Sequence, residues 1–323
     1  MTQFQIPVVD ITPFREGDEA GSNHVIKAVS SACEEIGFFT ITGHGIPSDL
    51  IMQMYGLSRT FFDLPTEQKL TVKQTGDELG GLMYFPMMAE SLAASLGDKR
   101  PGDFKESLDF GPGFMGDAWP TALPTLKQVW YDYYAAMSDL ATCLRHIFAA
   151  AIGLPKTYFD DKFDRHHSSL RVLNYPEQQV DPLPGQLRAG AHSDYDFLTI
   201  LWADEWAEDS PGGLQAQHRN GDWIDVPTIP DSFIVNIGDA MMRWTNDRWI
   251  STVHRVVNPS TEARLQSRRQ SIPFFHGANK DAVIECLDAF CDATHPPKYE
   301  PITYGEYTQL KYRQAHGVEE LKS

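Results

Sequence analysis

The sequence predicts a mainly β core with flanking α-helices. Apolar residues in the first half of the chain recur at helical spacing, whereas the half after Pro155 offers short runs rich in β-branched and aromatic residues. Turn signals separate these runs, among them Asn220-Gly221 and Gly238-Asp239. Short strands at regular spacing are typical of an antiparallel sandwich or barrel. A length of 323 residues leaves open one elaborated domain or two closely coupled segments.

The first half is predicted to hold most of the helices. Residues 24–36 place apolar side chains at helical spacing, and residues 38–42 follow as a strand. A second amphipathic helix is predicted for residues 47–64, where a proline stands in the first turn. Residues 123–152 form the longest helical pattern, with apolar and aromatic side chains on one face. We expect this helix to be the backbone of the molecule.

The second half is predicted to be rich in strands. Each predicted strand is a β-branched or aromatic run between turn signals, and the runs are residues 170–175, 198–202, 214–217, 233–237, 253–257 and 270–275. A final, polar helical pattern covers residues 304–316, and we expect it to pack back onto the body.

Composition and charge argue against several classes of function. The 27 basic and 44 acidic side chains give a formal charge of -17, which repels phosphate backbones and anionic lipids. We therefore expect neither nucleic acid nor a membrane as a partner. There is no leader pattern and no apolar run near the roughly 18 residues of a membrane span, so a cytoplasmic location is expected. The 4 cysteines do not make a disulfide framework, and we expect thiols.

A His-x-Asp pattern, His192 and Asp194, lies in the strand-rich half, and His254 follows in a later predicted strand. In an extended chain His192 and Asp194 point to the same side, so both can reach one metal ion. Two imidazoles and one carboxylate suit non-haem iron(II), because they leave positions for reacting ligands. A lone His-x-Asp is also common by chance, and a lone strand histidine is more often a core or surface residue.

An Arg and a Ser stand two apart on the last predicted strand, at Arg269 and Ser271, so they share one face. A guanidinium and a hydroxyl make a fork for a carboxylate, which suits a dicarboxylate cosubstrate. Tyr175 could add a third donor. The alternative for Arg269 is a surface position in a basic cluster with Arg264 and Arg268.

Motifs spread over nearly the whole chain carry a family resemblance. They are Ile6-Pro7-Val8-Val9-Asp10, residues 32–39, Gly43-His44-Gly45-Ile46, Asp103-Phe104-Lys105-Glu106-Ser107, Pro211-Gly212-Gly213-Leu214-Gln215, Asn236-Ile237-Gly238-Asp239 and Trp244-Thr245-Asn246. With the His-x-Asp pattern, they make the chain resemble the isopenicillin N synthase-like family of iron(II)- and 2-oxoglutarate-dependent oxygenases.

This resemblance implies a fold and a reaction. The strand-rich half would be a double-stranded β-helix, or jelly roll, that binds Fe(II) through His192, Asp194 and His254. Dioxygen and the cosubstrate 2-oxoglutarate would oxidise a small-molecule substrate by hydroxylation, desaturation or ring closure, with release of succinate and carbon dioxide. A monomer or weak homo-oligomer is expected. The expected segments are an N-terminal helical or mixed part (1–120), the long helix and its connection (121–162), the jelly-roll core (163–280) and a C-terminal part packed on the core (281–323).

By the same resemblance, Arg269 and Ser271 would hold the distal carboxylate of 2-oxoglutarate, with Tyr175 as a helper. The segment before Arg269 is longer than the family usually shows, and the excess falls in residues 260–267, which we expect to form an extended hairpin turn. Arg268 is thus a neighbouring candidate. Alternation favours Arg269, because it must point the same way as Ser271.

Two further residues are candidate substrate contacts. If Tyr175 points into the barrel, alternation sends Arg171 inward as well, where it would anchor a small carboxylic or amino acid. The alternatives are that Arg171 pairs with a protein carboxylate such as Asp109, or extends to solvent at the rim. Tyr84 is the second candidate, because the family places its segment near the mouth of the pocket.

Two other functions stay open at this point. A few relatives in the family oxidise their substrate directly with dioxygen and keep the Arg and Ser for a substrate carboxylate. A non-catalytic jelly-roll protein that holds a metal or small ligand is the alternative from another class. Succinate release that depends on added 2-oxoglutarate distinguishes the dioxygenase from the direct oxidase, and absence of iron-dependent turnover against a broad substrate panel would favour the non-catalytic protein.

Overall fold

The structure is a computed structural model that describes residues 5–72, 82–98, 100–111, 119–204 and 213–315. Its strands are β1 (Val8–Asp10), β2 (Phe38–Thr42), β3 (Met83–Phe85), β4 (Glu106–Phe110), β5 (Ser169–Tyr175), β6 (Ala189–His192), β7 (Leu198–Ala203), β8 (Leu214–Gln217), β9 (Trp223–Asp225), β10 (Phe233–Ile237), β11 (His254–Val256), β12 (Arg269–His276), β13 (Val283–Ile284) and β14 (Ile302–Thr303). Its α-helices are α1 (Thr12–Glu16), α2 (Glu19–Glu35), α3 (Ser48–Phe62), α4 (Thr66–Lys69), α5 (Leu126–Ala151), α6 (Asp239–Trp244) and α7 (Tyr304–Ala315). None of these described helices is both long enough and apolar enough to cross a membrane.

Two sheets form the β core. The large sheet has the strand order β1-β2-β10-β7-β12-β5-β4-β3, and the small sheet has the order β6-β11-β8-β9. Among the described strands of these sheets, only β1 and β2 pair in parallel. Strands that follow one another in sequence often lie in different sheets, so the chain crosses between them repeatedly. The fold is the jelly roll that the resemblance implied.

Apolar side chains fill two cores, one on each face of the large sheet. The smaller core joins Phe38 and Tyr175 of the large sheet to Ala216 and Val256 of the small sheet, so it lies between the two sheets. The larger core lies on the other face, where α5 buries one side, including Trp130. Helices therefore cover the outer face of the large sheet, and the inner face remains available for a site.

The residue patterns located most of these elements. β2, β8 and β10 have the predicted bounds, and β5, β7, β11 and β12 differ from prediction by one residue at one or both ends. The long helix is confirmed as α5. β3, β4, β6 and β9 lie outside the predicted set, since their runs are short or polar. His316 at the end of the last predicted helix, and the motif residues Pro211 and Gly212, fall outside the described residues.

Two expectations from the sequence are wrong. Residues 260–267 do not form a hairpin turn, because β11 belongs to the small sheet and β12 to the large sheet. The segment instead carries the chain from one sheet to the other. Cys286 and Cys291 are joined by a disulfide rather than left as thiols, whereas Cys33 and Cys143 are free as expected.

Candidate active site

Three side chains of metal-ligand type meet between the two sheets. His192 ends β6, Asp194 follows it, and the pairing of β11 with β6 sets His254 opposite His192. His192 Nε2 lies 3.9 Å and His254 Nε2 lies 3.8 Å from Asp194 Oδ1. One possible ligand atom from each of the three residues lies within 4.8 Å of the others. Two nitrogens and one oxygen in this arrangement can occupy one face of an octahedral iron(II) ion.

The second ring nitrogen of each histidine is held by the backbone. His192 Nδ1 lies 2.8 Å from the Gly190 carbonyl oxygen, and His254 Nδ1 lies 3.0 Å from that of Thr252. A carbonyl can only accept, so Nδ1 carries the proton and the Nε2 lone pair faces the other ligands. Burial, with the neighbouring His254, lowers the pKa of His192 to about 3. The imidazole is therefore neutral, as metal binding requires.

The Asp194 carboxylate is held by hydrogen bonds to one of its oxygens. Thr199 Oγ1 and Asn236 Nδ2 donate to Oδ2 at 2.6 and 2.7 Å, which leaves Oδ1 to face the histidines. Thr199 and Asn236 lie opposite each other on β7 and β10. Burial opposes ionisation, but His254, His192 and these hydrogen bonds together lower the pKa of Asp194. Sequence reasoning missed both donors, although Asn236 stands in one of the motifs.

The residues expected to hold a carboxylate share the inner face of the large sheet. Arg269 on β12 lies directly opposite Tyr175 on β5, with its guanidinium carbon 5.2 Å from the ring centroid. Ser271 lies two residues further along β12, so its side chain points to the same face as that of Arg269. The side chains of Arg269, Tyr175 and Ser271 are all buried. Arg269 Nε has no hydrogen-bond partner within the described protein. Arg268 points to the opposite face, where it forms an ion pair of 2.6 Å with Asp63. The structure thus confirms the register and the alternation expected for this strand.

A second buried arginine, Arg188, lies beside this group. It precedes β6 and donates to the Ser267 hydroxyl at 2.9 Å and to the Pro176 carbonyl at 3.1 Å. Its guanidinium carbon lies 5.9 Å from the Tyr175 ring centroid. Burial and the nearby Arg269 lower the pKa of Arg188 to about 10. Sequence reasoning missed Arg188, because the Ala-Gly-Ala run after it gives no strand signal that would fix its direction.

Arg171 does lie on the inner face, but its guanidinium is already paired. It donates to both carboxylate oxygens of Glu90, at 3.0 and 3.2 Å, and to Asp109 Oδ2 at 2.5 Å. Of the possibilities left open by the sequence, the structure shows the pairing with Asp109. Glu90, the other partner, had no signal in the sequence.

Tyr84 lies on the wrong face to contact a substrate in this pocket. It pairs with Leu108 of β4, whose side chain belongs to the outer core. Its hydroxyl donates to Glu106 Oε2 at 2.5 Å. Alternation gives the inner face to its neighbours Met83 and Phe85 instead. The expectation that Tyr84 contacts the substrate is therefore wrong, because the pairing of β3 with β4, which a local sequence pattern does not show, turns its side chain to the outer face.

Comparison with known families covers most of the chain. A family model described as the N-terminal part of a non-haem dioxygenase in morphine synthesis matches residues 6–126. The model of the 2OG-Fe(II) oxygenase superfamily matches residues 167–278, which include the His, Asp and Arg residues described above.

Similar proteins extend over almost the full length. The 2-oxoglutarate-Fe(II) type oxidoreductase hxnY of Emericella nidulans is 32% identical over 96% of this chain and 90% of its own. A homoarginine-6-hydroxylase of Glycine max is 29% identical, with 94% of each chain covered. The crystal structure of a full-length Neurospora crassa protein in complex with alpha-KG and thymine superposes with a TM-score of 0.83, at 32% identity and 97% coverage of each chain.

Proposed function

Since the chain belongs to the 2OG-Fe(II) oxygenase superfamily and is an Fe(II)- and 2-oxoglutarate-dependent dioxygenase, we propose that His192, Asp194 and His254 hold its iron. The observation that carries this proposal is the convergence of two Nε2 atoms and Asp194 Oδ1 within 4.8 Å. The donor set fits the metal, because both Nδ1 atoms are bonded to carbonyls and Asp194 keeps one oxygen for coordination.

Arg269, Ser271 and Tyr175 are the proposed holders of the distal carboxylate of 2-oxoglutarate. Arg269 supplies a fixed positive charge with a buried, unpartnered Nε, and Ser271 supplies a hydroxyl on the same face. A bidentate guanidinium contact orients as well as binds a carboxylate. Anchoring the far end of the cosubstrate in this way would leave its keto acid end free to bind the iron held by His192, Asp194 and His254.

The bound iron supplies the redox chemistry by which dioxygen converts 2-oxoglutarate to succinate and carbon dioxide while the small-molecule substrate is oxidised. The chain supplies position and a dry surrounding. Thr199 and Asn236 fix the Asp194 carboxylate, and Gly190 and Thr252 fix the imidazoles. The buried inner face of the large sheet excludes water from the reacting groups.

We expect succinate formation by the purified protein to require added Fe(II) and 2-oxoglutarate, and to rise with the right substrate. Thymine and homoarginine are the first compounds to test, because similar proteins are named for or solved with them. Chelation of the iron should abolish the signal, and fresh Fe(II) should restore it. Oxidation of a substrate without any need for 2-oxoglutarate would contradict this function and favour the direct oxidase.

We expect Asp103 to position His192 through the backbone. Its buried carboxylate accepts hydrogen bonds from Gly190 N at 2.9 Å and Leu92 N at 3.1 Å, and the Gly190 carbonyl bonds His192. In Asp103→Asn, the amide NH2 faces one of these two donors, so one bond is lost. The expected result is iron binding weakened by roughly tenfold, the lower end for an outer-shell change, in an Fe(II) titration.

Asp98→Asn is the matched control for this change, because Asp98 lies on the same segment with an exposed side chain. It should bind iron as the native protein does. Native iron affinity in Asp103→Asn would show that the carboxylate does not act on His192.

A further inference from the structure

Three polar side chains alternate onto the inner face at β4. Lys105, Ser107 and Asp109 are each more than nine-tenths buried. Within the described protein, Lys105 Nζ, Ser107 Oγ and Asp109 Oδ1 have no partner in good hydrogen-bonding geometry, although Lys105 lies beside Glu90 and Ser107 lies beside Asp109. We call these residues the β4 strip. Buried polar atoms in proteins nearly always have hydrogen-bond partners, so we expect these atoms to form hydrogen bonds with a bound molecule.

The β4 strip lies beside the proposed iron and cosubstrate sites. Ser107 pairs with Leu173, and Leu173 pairs with Ser271 on its other side, so the two serines stand in one row across the sheet. Two strand spacings separate them by about 10 Å. At the other end, Lys105 Nζ lies 3.6 Å from Asp103 Oδ2, and Asp103 Oδ1 accepts a hydrogen bond from the N–H of Gly190, whose carbonyl oxygen bonds His192 Nδ1. A substrate held beside the iron would therefore contact this strip.

Charge decides which substrate the strip can take. Three carboxylates gather here, on Glu90, Asp103 and Asp109, against the two cations Lys105 and Arg171. Lys105 Nζ lies 3.3 Å from Glu90 Oε2 and 3.6 Å from Asp103 Oδ2, and Arg171 is bonded to two carboxylates. Both cations are already paired, and the five side chains together carry one net negative charge. A substrate carboxylate would therefore be repelled.

Asp109 Oδ1 sets the second requirement. An ionised carboxylate oxygen can only accept hydrogen bonds, and the other oxygen of Asp109 is taken by Arg171. A carboxylate oxygen can accept more than one hydrogen bond, so Oδ1 can accept a donor from the substrate even with the Ser107 hydroxyl beside it. Burial raises the pKa of Asp109 and the Ser107 hydroxyl opposes that rise, but this hydroxyl can rotate and donate instead to an oxygen of the same molecule.

Building on the proposed function, we propose that the substrate is a small nitrogenous molecule without net negative charge, which donates an N–H group to Asp109 and accepts a hydrogen bond from Ser107. This reverses the expectation of an acid anchored by Arg171. The N–H group can belong to a neutral amide or lactam, or to a cationic amine or guanidine.

Four probes on one skeleton separate these possibilities: benzoate, benzamide, benzylamine and N,N-dimethylbenzamide. Each is titrated calorimetrically, without oxygen, into protein loaded with Fe(II) and 2-oxoglutarate. We expect benzamide or benzylamine to bind at least tenfold more tightly than benzoate, and N,N-dimethylbenzamide, which lacks the N–H group, to bind as weakly as benzoate. Tighter binding of benzamide would show that the N–H group belongs to a neutral amide, and tighter binding of benzylamine would show that it belongs to a cationic amine.

Two variants tie the result to the strip. Asp109→Asn should weaken the better probe by about tenfold, as loss of a charged hydrogen bond does, and Ser107→Ala, which removes only a hydroxyl, should weaken benzamide by a few-fold. Asp225→Asn is the control, because Asp225 is an exposed strand aspartate on β9.

Benzoate binding as tightly as the nitrogen compounds, no binding by any probe at millimolar concentration, or native affinity in both folded variants would overturn the proposal. 2-Oxoglutarate is titrated separately into each iron-loaded protein. Failure of the native protein to bind it would count against the proposed function, whatever the probes do.

Discussion

Alanine at His192, Asp194 or His254 is expected to abolish iron-dependent succinate formation while the protein stays folded. Each residue supplies one of three atoms that surround a single position. Changes to outer-shell partners of a metal site already cost roughly 10- to 100-fold in affinity or activity, so loss of a ligand itself should exceed about 100-fold. Folding should survive, because the two cores are built from other, apolar side chains. Iron titration, succinate formation and thermal melting measure the three quantities.

A graded series makes this result specific. Asn236→Ala and Thr199→Ala remove donors to Asp194 Oδ2 but leave the three ligands, so we expect losses of about 10- to 100-fold. His24→Ala changes an exposed histidine on α2 and should have no effect. Near-native iron binding in a variant of one of the three residues would remove that residue from the site, and equal losses at ligand and outer-shell positions would show that the variants act through folding.

The parts of the molecule that sequence predicted are those set by alternation and periodicity. β12 illustrates this, because its period of two placed Arg269 and Ser271 on one face and Arg268 on the other, as the structure has them. The helical spacing of apolar residues likewise predicted α5, which packs against the outer face of the large sheet. The family was identified from the motifs, because alternation of side chains does not distinguish one family of β proteins from another.

The parts that sequence did not predict depend on pairing between distant strands. β6 reads Ala-Gly-Ala-His, with no β-branched residue, so neither its strand nor the direction of Arg188 was visible. The sequence alone does not show which face Tyr84 occupies, because this depends on the register of β3 on β4. That register gives the inner face to Met83 and Phe85. Contacts across sheets are set by tertiary packing, which a local pattern does not encode.

Arg269→Ala is expected to raise the concentration of 2-oxoglutarate needed for turnover by at least thirtyfold. Loss of one partner of a buried, hydrogen-bonded charge pair costs about 2 to 5 kcal/mol, and each 1.4 kcal/mol is about tenfold in affinity. Arg269 is buried on the inner face opposite Tyr175, where no solvent can replace the contact. Arg269→Lys keeps the charge but loses the planar fork, so it should fall between the native protein and the alanine variant. The measurement is the KM for 2-oxoglutarate, with iron affinity determined in parallel.

The neighbouring arginine is the matched control, because it differs from Arg269 mainly in the face to which it points. Arg268 forms a partly exposed ion pair with Asp63 and donates to Asn174 on the outer face. Arg268→Ala should lower the melting temperature slightly and leave the KM for 2-oxoglutarate unchanged, because a partly exposed pair contributes at most about 1 kcal/mol. If Arg268→Ala instead raises this KM and Arg269→Ala does not, the cosubstrate lies on the other side of β12. Since iron and cosubstrate must share the space between the sheets, that result would also place the cosubstrate too far from His192, Asp194 and His254, and the proposed site as a whole would fail.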